Sequence, residues 1–207
     1  MILEVFSSGP IDNNAILLAC EKTKKAVLID APQDSTSRYI ALVEKHHLNV
    51  QGLLLTHTHQ DHIVDIAPLK EKFQMAVYVH PLDAANLQFP GADRLPIFME
   101  REAIEPDEHL EDGELFQLGE ITIKVVHTPG HSPGGVCFYI EKEDLLISGD
   151  TLFQGSMGRI DFPTSNPKDM VESLKKLAAL PSDTRVIPGH GPETTIGAEM
   201  SWLKRRF

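Results

Sequence analysis

An α/β fold in which helices cover stacked sheets is predicted for this chain on three observations. Short apolar runs, many of them β-branched or leucine-rich, alternate with turn residues. Two halves share one rhythm, strands first and helices after. Neither a low-complexity segment nor an obvious linker divides the 207 residues, so residues 1–207 are expected to form a single domain with a sizeable core.

Taken in order, "ILEVF" (2–6), "AILLAC" (15–20) and "AVLID" (26–30) read as a strand meander, joined by Gly9-Pro10 and the polar turn from Glu21 to Lys25. "DSTSRYIALVEKHHL" (34–48) reads as a helix. Asp34 or Ser35 can cap it, and Tyr39, Ile40, Leu42 and Val43 give its apolar face. "VQGLLL" (50–55) is a strand buried on both sides, a helix follows near Ile66, and "AVYVH" (76–80) is another strand. Residues 86–114 carry Pro90, Gly91, Pro96, Pro106 and Gly113 with little periodicity, and read as a long excursion. Strands resume at 115–118, 120–127, 135–141 and 144–148. "NPKDMVESLKKLAAL" (166–180) is an amphipathic helix, "RVIPGHG" (185–191) a short strand with a tight turn, and 193–206 a helical tail.

The balance of 30 acidic against 19 basic residues gives a formal charge of −11. Such a field repels phosphate backbones, so no nucleic-acid partner is expected. The N-terminus "MILEVFSSGP" has no basic n-region and no run approaches membrane-spanning length, which predicts a cytoplasmic protein without a membrane partner. Cys20 and Cys137 read as two buried thiols. Oligomeric state has no signature.

"THTHQDHI" (56–63) places His57, His59, Asp61 and His62 directly after the apolar run Leu53-Leu54-Leu55. Three more strand ends carry residues of the same chemistry: His131 in "HTPGHSPGG" (127–135), Asp150 closing "LLISGD" and His190 in "VIPGHG" (186–191). Loops at buried strand ends let a rigid scaffold aim side chains at one point. In an extended segment His57 and His59 point the same way, whereas Asp61 and His62 fall past the turn. A carboxylate can bridge two cations through its two oxygens, so Asp150 is the expected bridge. Site one is then His57, His59, His131 and Asp150; site two is Asp61, His62, His190 and Asp150. Nitrogen and oxygen donors without thiolate suit two divalent ions, zinc first, with iron or manganese as alternatives. Two cations about 3.5–4 Å apart hold a hydroxide at neutral pH, because bound water falls towards a pKa of roughly 7. Asp61 is the residue expected to orient that hydroxide.

"THTHQDH", "TPGHS", "GDTLF" and "PGHG", in this order, resemble the metallo-β-lactamase superfamily over nearly the whole chain. The resemblance implies an αββα sandwich with the metal site at one edge of its two sheets. Asp30, ending "AVLID", matches a position the family uses as a supporting carboxylate, although Ala31-Pro32 follows here where Pro-Gly is common.

Asp150 stands where the best-known zinc β-lactamases use a cysteine. "GDTLFQGSMGRIDFP" (149–163) resembles the small glyoxalase II-like branch, which implies a small-molecule thioester substrate such as S-D-lactoylglutathione. A thiolate leaves readily, so no strong general acid is required. Arg159 is the candidate partner for a substrate carboxylate. The chain runs from His190 only to Phe207, so it is expected to lack the helical domain with which larger glyoxalase II proteins grip glutathione. The alternative is a persulfide dioxygenase, a related group sharing "GR-x-DF", in which residues matching His57, His131 and Asp150 hold a single iron. The ending "LPSDTRVIPGHGPETTIGAE" (180–199) favours the hydrolase-like branch. A binding module on the same fold would be expected to have lost ligands, and none is lost. His46, His47, His80, His109 and His127 match no ligand position.

Overall fold

The computed structural model describes residues 1–206. β1 (Ile2–Ser8), β2 (Asn13–Ala19) and β3 (Lys25–Ile29) form an antiparallel meander. Crossovers through α1 (Thr36–His46) and α2 (Ile66–Phe73) then place β4 (Asn49–Leu54) and β5 (Ala76–Val79) parallel to β3. α3 (Pro81–Gln88) and a two-residue edge strand, β6 (Glu108–His109), complete this half. In the second half β7 (Leu115–Leu118), β8 (Ile121–His127), β9 (Val136–Ile140) and β10 (Leu145–Gly149) run antiparallel. A small hairpin of β11 (Leu152–Phe153) and β12 (Ser156–Met157) leads to α4 (Pro167–Ala178). β13 (Arg185–Pro188) returns beside β10 in parallel, followed by β14 (Thr194–Thr195) and α5 (Ile196–Leu203). The two six-stranded sheets run β1-β2-β3-β4-β5-β6 and β14-β13-β10-β9-β8-β7.

The period of two along each strand sorts the apolar residues into three layers of core. Leu17, Leu28 and Leu53 pack with Tyr39 and Val43 of α1 and Ile66 and Leu69 of α2. Their neighbours Ile16, Leu18, Val27, Ile29 and Leu54 point the other way, against Ile123, Val125, Phe138 and Ile147 of the second sheet. On the far side Cys137, Tyr139, Leu146 and Val186 meet Met170, Leu174 and Leu177 of α4 and Ile196 and Leu203 of α5. The result is an αββα sandwich. Cys20 and Cys137 are buried and unpaired. Among the described residues no helix is long and apolar enough to cross a membrane.

Three elements depart from expectation. Ser35 occupies the N-cap of α1 but its side chain does not cap the helix, and Asp34 takes no part. Instead Asp65, at the start of α2, accepts from the Thr36 amide at 2.9 Å and the Thr36 hydroxyl at 2.7 Å, tying the two helices together. α3 and β6 frame and interrupt the expected excursion. The sequence "PLDAANLQ" shows no apolar stripe because Asp83 and Asn86, both buried, occupy the inward face of α3. The tail becomes helical only at Ile196, since Thr194 and Thr195 first pair with β13.

Tyr39 locks the first sheet to α1. Its buried hydroxyl lies 2.9, 3.0 and 3.2 Å from the carbonyls of Asp30, Ile29 and Ile16, and shares one proton among them. Tyr39→Phe is expected to lower stability by about 1–2 kcal/mol, because buried acceptors lose their donor. Urea unfolding checks this: the midpoint should fall at unchanged slope, and an unmoved midpoint would contradict it.

Candidate metal centre

Beyond Leu55 the chain leaves the β4 ladder. His57 and His59 lie on an extended stretch, and a single 3-10 turn over Gln60–His62 swings Asp61 and His62 to a second side. The loop after β8 carries His131, Asp150 follows directly after β10, and Gly189-His190 follows β13. The structure brings all seven residues to one edge of the sandwich. His57, His59 and His131 offer nitrogens within 4.8 Å of one another; His57, His62 and Asp150, and likewise Asp61, His62 and His190, bring ring nitrogens and a carboxylate oxygen equally close. Gly189 permits this approach: a Cβ there would stand 2.2 Å from Asp150 Oδ1.

The separations can be tested against a cation. Ligands about 2.0–2.1 Å from a tetrahedral ion lie roughly 3.3–3.4 Å from one another. His62 Nε2 is 3.3 Å from both Asp61 Oδ2 and His190 Nε2, and His190 Nε2 is 3.2 Å from Asp61 Oδ2. Asp150 Oδ1 lies 3.5 Å from His62 Nε2, while Asp150 Oδ2 lies 3.4 Å from His131 Nε2 and 3.7 Å from His190 Nε2. His59 Nδ1 and His131 Nε2 approach to 2.8 Å, a separation that an N–H···N hydrogen bond or a shared cation would satisfy. His57 Nε2 and Asp150 Oδ1 are buried without a hydrogen-bond partner. Buried acceptors left without a partner are costly, and a cation would complete them. The cluster fits divalent metal binding.

Hydrogen bonds behind the rings decide which nitrogen faces inward. His62 Nδ1 donates to Asp30 Oδ2 at 2.8 Å, His131 Nδ1 to the Arg159 carbonyl at 2.8 Å and His190 Nδ1 to the Ile11 carbonyl at 3.0 Å. Thr56 gives its proton to Asp30 Oδ2 at 2.7 Å, which leaves its oxygen to accept from His57 Nδ1 at 3.1 Å. Each of these four rings therefore aims an Nε2 lone pair at the centre. His59 is reversed and presents Nδ1. Asp30 also accepts from the Thr56 amide at 2.8 Å, and it sits buried at φ 58°.

The charges agree with this arrangement. Burial, then the neighbouring His62 and His59, push His57 well below the usual imidazole range. Burial and His131 take His59 down to about 3. Burial opposes a charge on His62 too, yet Asp61, Asp30 and Asp150 outweigh it and raise that ring well above normal. Burial likewise lifts the Asp61 carboxyl, but His62 and His190 overcome it and hold the group far below the carboxylate range. The site attracts positive charge while refusing protons at two of its rings.

Several supporting residues had no distinct signal in the sequence. Asn13 Nδ2 donates to Asp61 Oδ2 at 2.8 Å. Asp83 accepts from the amides of Thr58 at 3.2 Å and Gly134 at 2.5 Å, joining the loop of His57 and His59 to that of His131. Asn86 donates to the Thr58 carbonyl at 2.6 Å. The polar pair three apart on α3 was the available clue. Arg159 lines the cleft above the cluster, but its guanidinium is held by Asp161 at 2.9 and 2.8 Å. His80 and His127 stack on each other at 4.1 Å outside the cluster, and His46 pairs with Glu4.

A family model described as the metallo-β-lactamase superfamily matches residues 8–190. Hydroxyacylglutathione hydrolase GloC of Haemophilus influenzae is 32% identical, over 96% of this chain and 95% of that protein. The crystal structure of BLEG-1, a B3 metallo-β-lactamase, is similar at a TM-score of 0.89 and 36% identity, covering 98% of this chain and 99% of its own. TTHA1623, solved in a di-iron-bound form, is similar at a TM-score of 0.79 and 41% identity, covering 95% of this chain and 96% of its own.

The Asp30–His62 bond yields a test. Asp30→Asn should weaken divalent-cation affinity by about 10- to 100-fold, the usual effect of removing the acceptor behind a ligating imidazole. Chelator competition measures it, with His80→Ala as a control outside the cluster. Equal affinities in the two variants would contradict the assignment.

Proposed function

The chain belongs to the metallo-β-lactamase superfamily as a metallo-hydrolase, and on that premise we propose that it hydrolyses thioesters, with S-D-lactoylglutathione as the reference substrate. His57, His59 and His131 would hold one divalent cation, Asp61, His62 and His190 the other, and Asp150 would serve both. The observation that carries this reading is the placement of Asp150, whose Oδ2 lies 3.4 Å from His131 Nε2 and 3.7 Å from His190 Nε2, one nitrogen of each donor set, with Oδ1 3.5 Å from His62 Nε2. Zinc is the first choice for this nitrogen and oxygen set, and the di-iron form of TTHA1623 makes iron the second. Bound cations supply Lewis acidity and lower the pKa of a coordinated water towards about 7.

The chain's own groups do the rest. Asp61, steadied by Asn13, orients the attacking water. His131 and His190 are fixed by the Arg159 and Ile11 carbonyls, so the donors are positioned before substrate arrives. Among the described residues no lysine, tyrosine or cysteine lines the cleft, which leaves no evident acid for an amine leaving group. A thiolate needs none. The likeness to GloC supports a thioester, and the likeness to BLEG-1 makes a β-lactam the competitor to test.

At equal concentration, S-lactoylglutathione should turn over faster than a cephalosporin or bis-p-nitrophenyl phosphate. A cephalosporin turned over fastest would overturn the substrate reading. Asp150→Asn should abolish hydrolysis and lower binding at both sites; metal-to-protein ratios near two in that variant would sink the bridging role.

The His62→Ala, His190→Ala double substitution should fold, keep one metal and lose hydrolysis by about 10²–10³ or more. It separates hydrolysis from the single-iron alternative, which draws only on His57, His131 and Asp150. Oxygen uptake with glutathione persulfide by the iron-loaded wild type, unchanged in the double variant, would assign the chain to the dioxygenases.

A further inference from the structure

A cleft of about 600 Å³ opens onto the cluster. Leu95, Pro96, Phe98, Phe153 and Phe162 give it an apolar lining, with Phe162 5.3 Å from the His59 ring and Phe153 6.3 Å from that of His190. Phe98 is 72% exposed, a large apolar ring left in water beside the reactive groups.

One side chain sets this wall in register with the site. Gln60 lies buried between His59 and Asp61. Its Oε1 accepts from the amides of Phe98 at 3.0 Å and Met99 at 3.1 Å, and its Nε2 donates to the Pro96 carbonyl at 2.9 Å. Residues 96–99 are thereby fastened to the same 3-10 turn that carries Asp61 and His62.

The charges point the same way. Among the described residues Arg159 is the one lysine or arginine lining the cleft. Its guanidinium makes a two-point pair with Asp161 and lies 4.4 Å over the Phe162 ring. A glutathione moiety brings two carboxylates, and here they meet a paired cation and a chain of net charge −11. An alkyl or aryl group meets a matching surface.

Resting on the thioester reading above, we propose that this cleft is an acyl-chain site. It takes thioesters whose acyl group is an apolar chain, with Phe98, Leu95 and Pro96 as the discriminating wall and Gln60 as the positioning residue that anchors it. Water attacks the carbonyl carbon, the carbon–sulfur bond breaks with its electron pair on sulfur, one of the water's protons ends on that sulfur and the other passes to solvent, so a carboxylate, a thiol and one proton are formed and no further reactant is needed.

The test uses metal-loaded protein with acetyl, butyryl and hexanoyl thioesters, each on N-acetylcysteamine and on glutathione. kcat/KM should rise by about fourfold per methylene, the value of burying a CH₂ group, on both carriers alike. Phe98→Ala and Gln60→Ala should flatten the rise, chiefly through KM for the hexanoyl substrate, whereas Phe89→Ala, exposed outside the cleft, should keep it. A flat or falling series, or a tenfold preference for glutathione at equal acyl length, overturns the proposal.

Calorimetry with S-methyl and S-hexyl thioethers of N-acetylcysteamine reads the cleft without turnover. Tighter S-hexyl binding, weakened in Phe98→Ala, supports the acyl-chain site even if no thioester is hydrolysed, in which case only the hydrolase reading falls. Binding indifferent to chain length overturns the acyl-chain site even if lactoylglutathione is hydrolysed.

Discussion

Asp30 ties the reactive edge of the molecule to its core. Its two oxygens take the Thr56 amide, the Thr56 hydroxyl and His62 Nδ1, while its carbonyl receives the Tyr39 hydroxyl. A left-handed backbone at a residue other than glycine costs of order 1 kcal/mol, and a buried carboxylate is tolerated only with full partners. Three donors to one carboxylate offset both costs. Through them β3 fixes the exit of β4, the ring plane of His62 and, by way of the Thr56 oxygen, that of His57. Remove this carboxylate and two rings lose their bearing at once.

The electrostatics of the cluster follow from the same crowding. Asp30, Asp61 and Asp150 draw positive charge towards His62, while burial drives protons away from His57 and His59. A proton on one ring answers only part of that demand. Divalent cations would answer more of it, because they offset the carboxylates and accept the bare imidazole nitrogens together. The apolar layers beneath give the site rigidity, since strands packed on both faces cannot shift to relieve close approaches among donors.

The segment least ordered by sequence pattern supplies part of the apolar lining of the cleft. Residues 89–104 contain no helix or strand, yet Leu95, Pro96 and Phe98 line the cleft that opens onto the cluster. Gln60, an unremarked position within the histidine motif, holds them there. Chemistry and substrate shape thus share one 3-10 turn, with Asp61 and His62 directed to the cluster and Gln60 to residues 96–99. Loops can carry such roles because a rigid scaffold fixes their ends.

By itself the sequence determined the layered α/β fold, because alternating apolar residues such as Ile16, Leu17 and Leu18 can be buried only between a sheet and two different partners. It also pointed to seven residues, His57, His59, Asp61, His62, His131, Asp150 and His190, that the structure gathers at one edge, since donors at successive strand ends leave a local signature. Tertiary structure alone decided which nitrogen of each ring faces inward, as that depends on acceptors far away in the chain: Asp30 for His62, Ile11 for His190, Arg159 for His131. It alone revealed Asp83 and Asn86 as supports, because polar residues on the buried face of α3 erase the periodicity that marks a helix. It also paired the Arg159 guanidinium, at the rim of the cleft, with Asp161, a contact that residue type and spacing alone do not specify.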